Sequence, residues 1–176
     1  MKQILMFLLL AFPLAALAQD PKATDLRSIL VGELRSTHNH AEWFVPIDVA
    51  VSGVTAEQAA WTDGKGNHSI GQLTYHLLFW NRRALAEFKG ENPGKFGGNN
   101  DETFTNFTAA QWAATVQQLD QIMSEWEKAV QTADDQKLQK EASTIAHIAT
   151  HNAYHIGQIV FVRKEQGIWD ASKGVK

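Results

Sequence analysis

Three histidines are the residues best placed for chemistry. His147, His151 and His155 recur every four residues within STIAHIATHNAYHIGQIVFVRKEQG, residues 143–167. Four residues of α-helix overshoot a full turn by about 40°, so the three imidazoles lie on one face. Ile148, Ile159 and Val162 share that face, and no Asp, Glu, Lys or Arg stands between Glu141 and Arg163. A helix so poor in charge is expected to be mostly buried, with its histidines directed inward. A buried imidazole needs a hydrogen-bond partner or a metal. Two histidines at i and i+4 can share one ion, as in helices of the H-E-x-x-H type, although the Glu general base of that motif is replaced here by Asn152. Spacing alone leaves open a metal pair and a set of hydrogen-bonded core histidines. A third ligand from another element would separate them.

The elements that must position such a site read as helices. Met1 to Ala18 has a positive start at Lys2, an apolar run and the A-x-A end Ala16-Leu17-Ala18, which together predict a secretory signal peptide over residues 1–18. Residues 19–176 then form one domain, exported to the periplasm or the medium, with no membrane attachment after cleavage. A first helix is expected to open at Thr24 or Asp25 and to continue, kinked at Pro46, to about Ser52. His38 and His40, two apart, face different directions and are expected at or near the surface. Thr55 with Gln58 and Ser69 with Gln72 are capping boxes, the second opening a long helix that ends at Lys89 and Gly90. His76 lies on the edge of its apolar stripe, within reach of a helix carrying His151 and His155. Residues 91–106, with a proline, three glycines and several asparagines, form a long connection, either a mobile loop or a rim over a nearby site. A third helix is expected from Thr108 to about Ala133. Residues 132–140 read as a solvated linker before the last helix, which stops at Gly167. Four long helices and one extended crossover, without an alternating strand pattern, predict an all-α four-helix bundle.

Composition narrows the chemistry. The chain has no cysteine, so thiolate nucleophiles and ligands are excluded and any metal must sit on nitrogen and oxygen donors. The net charge of −3 gives no basic footprint for nucleic acid. Six Trp and nine Phe suit a packed helical core and an aromatic-lined pocket.

Two segments, SIGQLTYHLLFWN (69–81) and HIATHNAYHIGQIVFVR (147–163), resemble the two motifs of the DinB/YfiT-like family of metal-dependent enzymes. The resemblance implies an up-down-down-up four-helix bundle holding one divalent metal through His76, His151 and His155. It implies a position for His147 beside that site or in the core. Gly157 would let a neighbouring helix approach closely, and Gln158 could hydrogen-bond within or beside the site. An all-nitrogen ligand set suits Zn²⁺ or Ni²⁺ best. Similar proteins transfer low-molecular-weight thiols such as bacillithiol or mycothiol, so metal-assisted thiol transfer on an unknown small-molecule substrate is one expectation. Metal-assisted hydrolysis is a second, and a non-catalytic metal- or ligand-binding helical module a third. A homodimer is expected on the same grounds.

Overall fold

The computed structural model describes residues 25–105 and 107–174, among which all regular structure is helical. The expected signal peptide, residues 1–18, lies outside the described residues. No helix of the described residues is long and apolar enough to cross a membrane.

Helix α1 spans Leu26–His38 and is capped by Asp25, whose carboxylate accepts the Ser28 N–H at 2.7 Å. It does not run on through Pro46. A loop follows, and Pro46 is the N-cap of a separate short helix α2, Ile47–Val51. A proline whose missing N–H falls among the unpaired donors of a helix start costs nothing there, whereas mid-helix it would break a bond. Helix α3, Ala56–Ala60, and helix α4, Ile70–Lys89, both open with complete capping boxes, and Gly90 closes α4 at φ 84°. Helix α5, Glu102–Thr105, lies within the long connection. A 3₁₀ turn at Ala109–Gln111 leads into α6, Trp112–Thr132, and α7 covers Asp135–Glu165.

The expected linker over residues 132–140 is therefore mostly helix. Asp134 caps it by accepting the Lys137 N–H at 2.8 Å, and Leu138 is the one residue of its first turns that reaches the core. Gln, Lys and Glu are good helix formers, so a polar opening is an exposed helix face as readily as a coil.

The four longest helices pack in a ring: α1 touches α6 and α7, and α4 touches the same two. The core falls into two clusters. One, with Leu30, Leu34, Leu85, Trp126, Leu138 and Ile145, fills the end near the start of α1. The other, with Ile47, Ile70, Leu77, Phe104, Trp112, Ile156 and Ile159, fills the end that α2, α3 and α5 close. Ile168 and Trp169 pack against the second cluster, and the Arg163 guanidinium lies 5.1 Å from the Trp169 ring centre.

His38 is not at the surface. It is 1% exposed, with Nδ1 2.5 Å from Glu127 and Nε2 2.9 Å from Asp120, which ties α1 to α6. The pattern within α1 cannot reveal this, because both partners come from a helix about 80 residues later.

The charge-free stretch of α7 is not buried all round. Tyr154 and Phe161 are 64% and 60% exposed, and Gly157 lies on the same open side. No neighbouring helix approaches Gly157, since a Cβ added there would have nothing within 4 Å. The residue adds backbone freedom to an exposed helix interior without a contact in return. Gly157→Ala is expected to raise stability by about 0.5–1 kcal/mol, measured as a higher urea midpoint.

Candidate metal centre

Helix α4 brings His76 in from one side and α7 brings His151 and His155 from the other. One ring nitrogen from each lies within 4.8 Å of the other two. His76 is 2% and His155 7% exposed, and His151 is half-buried. The ring centres stand 4.6–5.2 Å apart.

The surrounding hydrogen bonds decide where the protons sit. The Thr103 hydroxyl donates to the Asn100 carbonyl at 2.6 Å, so its oxygen can only accept from His76 Nδ1, also at 2.6 Å. His155 Nδ1 lies 2.6 Å from Gln158 Oε1, an acceptor, so it too carries the proton. Both rings are thereby held with Nε2 as a bare lone pair. His76 Nε2 faces His151 Nε2 at 3.1 Å, and His151 Nδ1 is buried without a partner. Neutral His151 leaves Nδ1 unsatisfied in either tautomer, and only the tautomer protonated at Nε2, which donates to His76 Nε2, keeps two lone pairs from confronting each other.

Burial drives the electrostatics. The His76 pKa falls to about 3, chiefly through loss of hydration and then through His155, His151 and His68. That of His151 falls to about 4, again mainly by burial and then by His155. His155 is also lowered by burial, partly offset by its bond to Gln158. Neutral imidazoles are the form that binds a metal. Three nitrogens at 2.0–2.1 Å from a tetrahedral Zn²⁺ would stand roughly 3.4 Å apart, and the His76 and His151 Nε2 atoms are 3.1 Å apart. The donor set and the fixed tautomers fit a divalent ion held by His76, His151 and His155. Among the described residues no carboxylate joins the group.

His147 stands outside it. The ring is exposed and makes no hydrogen bond to the other three. Two successive 40° drifts carry it about 80° round the helix from His155, far enough to turn it to solvent. Gln158 is beside the site through its bond to His155 Nδ1.

The long connection is a rim. Phe104 of α5 stacks on His76 with ring centres 3.8 Å apart, and Thr103 holds the Nδ1 proton. On its other face Phe104 stacks against His68 at 3.9 Å. Phe96 packs against Phe79 and Trp80, and the Trp80 indole donates to Asn100. Thr103, Phe104 and His68 carried no sequence signal, since they lie in loop or short-helix positions with no periodic stripe. Phe107, just after this rim, lies over Gly71, where an added Cβ would come within 2.1 Å of the ring carbon Cε1. Gly71→Ala must displace Phe107 and strain the rim. We expect a net loss of about 1–2 kcal/mol by thermal denaturation, despite the better helix propensity of Ala.

Two buried amides lie beneath the site. Asn81 Nδ2 donates to Asn152 Oδ1 at 2.7 Å, and Asn152 Nδ2 returns to Asn81 Oδ1 at 3.2 Å. Asn152 follows His151 directly, so the pair fixes α4 against α7 next to the ligands.

No curated protein and no solved structure matches the chain. The DinB superfamily matches residues 47–159, a span that holds all three histidines and most of their supports. That match covers more than half of the sequence, and the chain belongs to the DinB superfamily.

Proposed function

We propose that the protein is an exported DinB-type metalloenzyme, an up-down-down-up four-helix bundle with one divalent ion on His76, His151 and His155. Zn²⁺ or Ni²⁺ suits three imidazoles best. The observation that carries this reading is the proton arrangement: two ligands are hydrogen-bonded so that only Nε2 is free, His76 Nε2 faces His151 Nε2 at 3.1 Å, and one ring nitrogen of each histidine lies within 4.8 Å of the others.

When bound, the ion would supply a Lewis acid that favours the deprotonated form of a thiol or a water. Thr103 and Gln158 would hold the His76 and His155 rings in the ligating tautomer. Phe104 would shield one side of His76 from water. Three neutral ligands would leave the site with its full double positive charge and room for an anionic reactant. This favours metal-assisted thiol transfer over hydrolysis, because a thiolate needs no carboxylate base and none stands in the histidine group. The small-molecule substrate, a homodimeric assembly and the periplasmic or secreted location belong to the same proposal. Export rests on the signal-like residues 1–18.

Metal content measured by mass spectrometry on protein purified without a histidine tag tests the centre. Wild type should carry about one equivalent, His151→Ala should carry almost none, and His147→Ala should keep it. An absence of metal in wild type even after addition of Zn²⁺ or Ni²⁺ would sink the proposal. Turnover of an electrophile that requires both thiol and metal would then separate transfer from hydrolysis.

A further inference from the structure

Beside the histidine centre, the loop between α3 and α4 and the last turns of α7 enclose a cleft of about 440 Å³. Trp61, Asp63, His68, Gln158, Phe161 and Glu165 are among the residues lining it. Two of them form a wall shared with the centre. Gln158 accepts the His155 Nδ1 proton, and His68 stacks on the face of Phe104 opposite His76.

The chemistry of the lining is one-sided. Asp63 and Glu165 both line the cleft, and no Lys or Arg does. Neither carboxylate is in an ion pair among the described residues. Asp63 accepts from the Lys65 backbone N–H at 2.9 Å and the Asn67 side-chain amide at 2.6 Å, which hold its carboxyl below the usual range and so ionised at neutral pH. Lys65 is close to Asp63 in sequence but does not line the cleft. Trp61 and Phe161 are 39% and 60% exposed, unusual for large aromatic side chains. Aromatic faces beside fixed negative charge attract cations through the ring quadrupole and through simple Coulomb forces. An anionic ligand would meet repulsion from both carboxylates, and a neutral one would gain only apolar contact.

We propose that this cleft binds an organic ammonium ion, held by Asp63 and Glu165 and by the rings of Trp61 and Phe161. The proposal rests on the metal-centre reading only for the use made of the ligand, which would be carried next to the site of chemistry.

The test uses metal-free full-length protein and three probes of one shape: phenethylammonium, 2-phenylethanol and phenylacetate. Binding is followed by calorimetry and ligand-observed NMR. Phenethylammonium should bind about tenfold more tightly than the alcohol, and phenylacetate should bind least. The Asp63→Asn/Glu165→Gln double variant should lose that advantage while keeping its affinity for the alcohol, and raised salt should weaken the ammonium alone. Equal affinity for ammonium and alcohol, no binding of the ammonium, or an unchanged ammonium affinity in the double variant would each overturn the assignment. His151→Ala should bind phenethylammonium as wild type does. If wild type took up no metal but this selectivity held, the metal centre would fall and the cleft would stand. The reverse pattern would remove the cleft alone.

Discussion

Moved from pH 7 to pH 4.5 without metal, the protein should lose stability on the order of 3–5 kcal/mol, read from urea midpoints across that range. The sign follows from the direction of the shifts. His76 and His151 titrate in the folded protein at about 3 and about 4, against 6.5 for an ordinary histidine. Between those values the unfolded chain binds protons that the folded chain refuses. Stability therefore rises with pH through this window, is fully present above about 6.5, and is lost as pH falls toward the folded values. Each group can contribute on the order of 2–3 kcal/mol over two pH units, and His151, being half-buried, contributes less than that. His151→Ala should reduce the slope, because one of the refusing sites is gone. A metal bound to the folded state adds stability by mass action, about 2.7 kcal/mol at a hundredfold excess over Kd, and protons then compete with it for the nitrogens. A flat profile between pH 7 and 4.5 in the metal-free protein, or an identical slope in His151→Ala, would show that these imidazoles are not held neutral by burial.

How much of this was legible in the sequence depends on the range of the interaction. Capping boxes are local, so Thr55-Gln58 and Ser69-Gln72 start helices where the sequence says they should. The i, i+4 spacing of His151 and His155 is also local, and the structure places them side by side. Extending the same rule one more turn fails at His147, because the helical drift that is small over four residues is not small over eight. Polarity misled in both directions. The charge-free part of α7 exposes Tyr154 and Phe161, while the charged Arg163 is 4% exposed and donates to the Val49 and Ala50 carbonyls. A buried guanidinium that closes the end of a short helix can be foreseen only when that helix is known to lie against it. His38 with Asp120 and Glu127, and His76 with Thr103, are the same case. Each requires the bundle to bring distant segments together before the hydrogen bond exists. The superfamily match names the family over residues 47–159, and it leaves the rim and its partners to the structure.

The buried Asn81–Asn152 pair should prove more important to the metal than to the stability of the fold. Both residues are 0% exposed, and Asn81 also donates to the Leu77 carbonyl at 2.8 Å while its own carbonyl accepts the Trp126 indole N–H at 3.1 Å. Asn152→Leu alone strands the Asn81 amide in an apolar interior, and we expect it to cost about 1–3 kcal/mol. The double variant Asn81→Leu/Asn152→Leu leaves no orphan amide in the pair, since both partners become apolar together. Its stability should return to within about 1 kcal/mol of wild type, or exceed it. Yet leucine packs in many ways, whereas two amides bond only in one axial setting of α4 against α7, as a single buried asparagine fixes register in a coiled coil. A metal site tolerates displacements of about 0.5 Å, so loosening that setting should weaken metal binding by about tenfold or more. Recovered stability with lost metal affinity is the signature of positioning, measured by urea titration beside Zn²⁺ calorimetry on the same three proteins. Wild-type metal affinity in the double variant would mean that apolar packing alone sets the register, and that the amides serve only to satisfy each other.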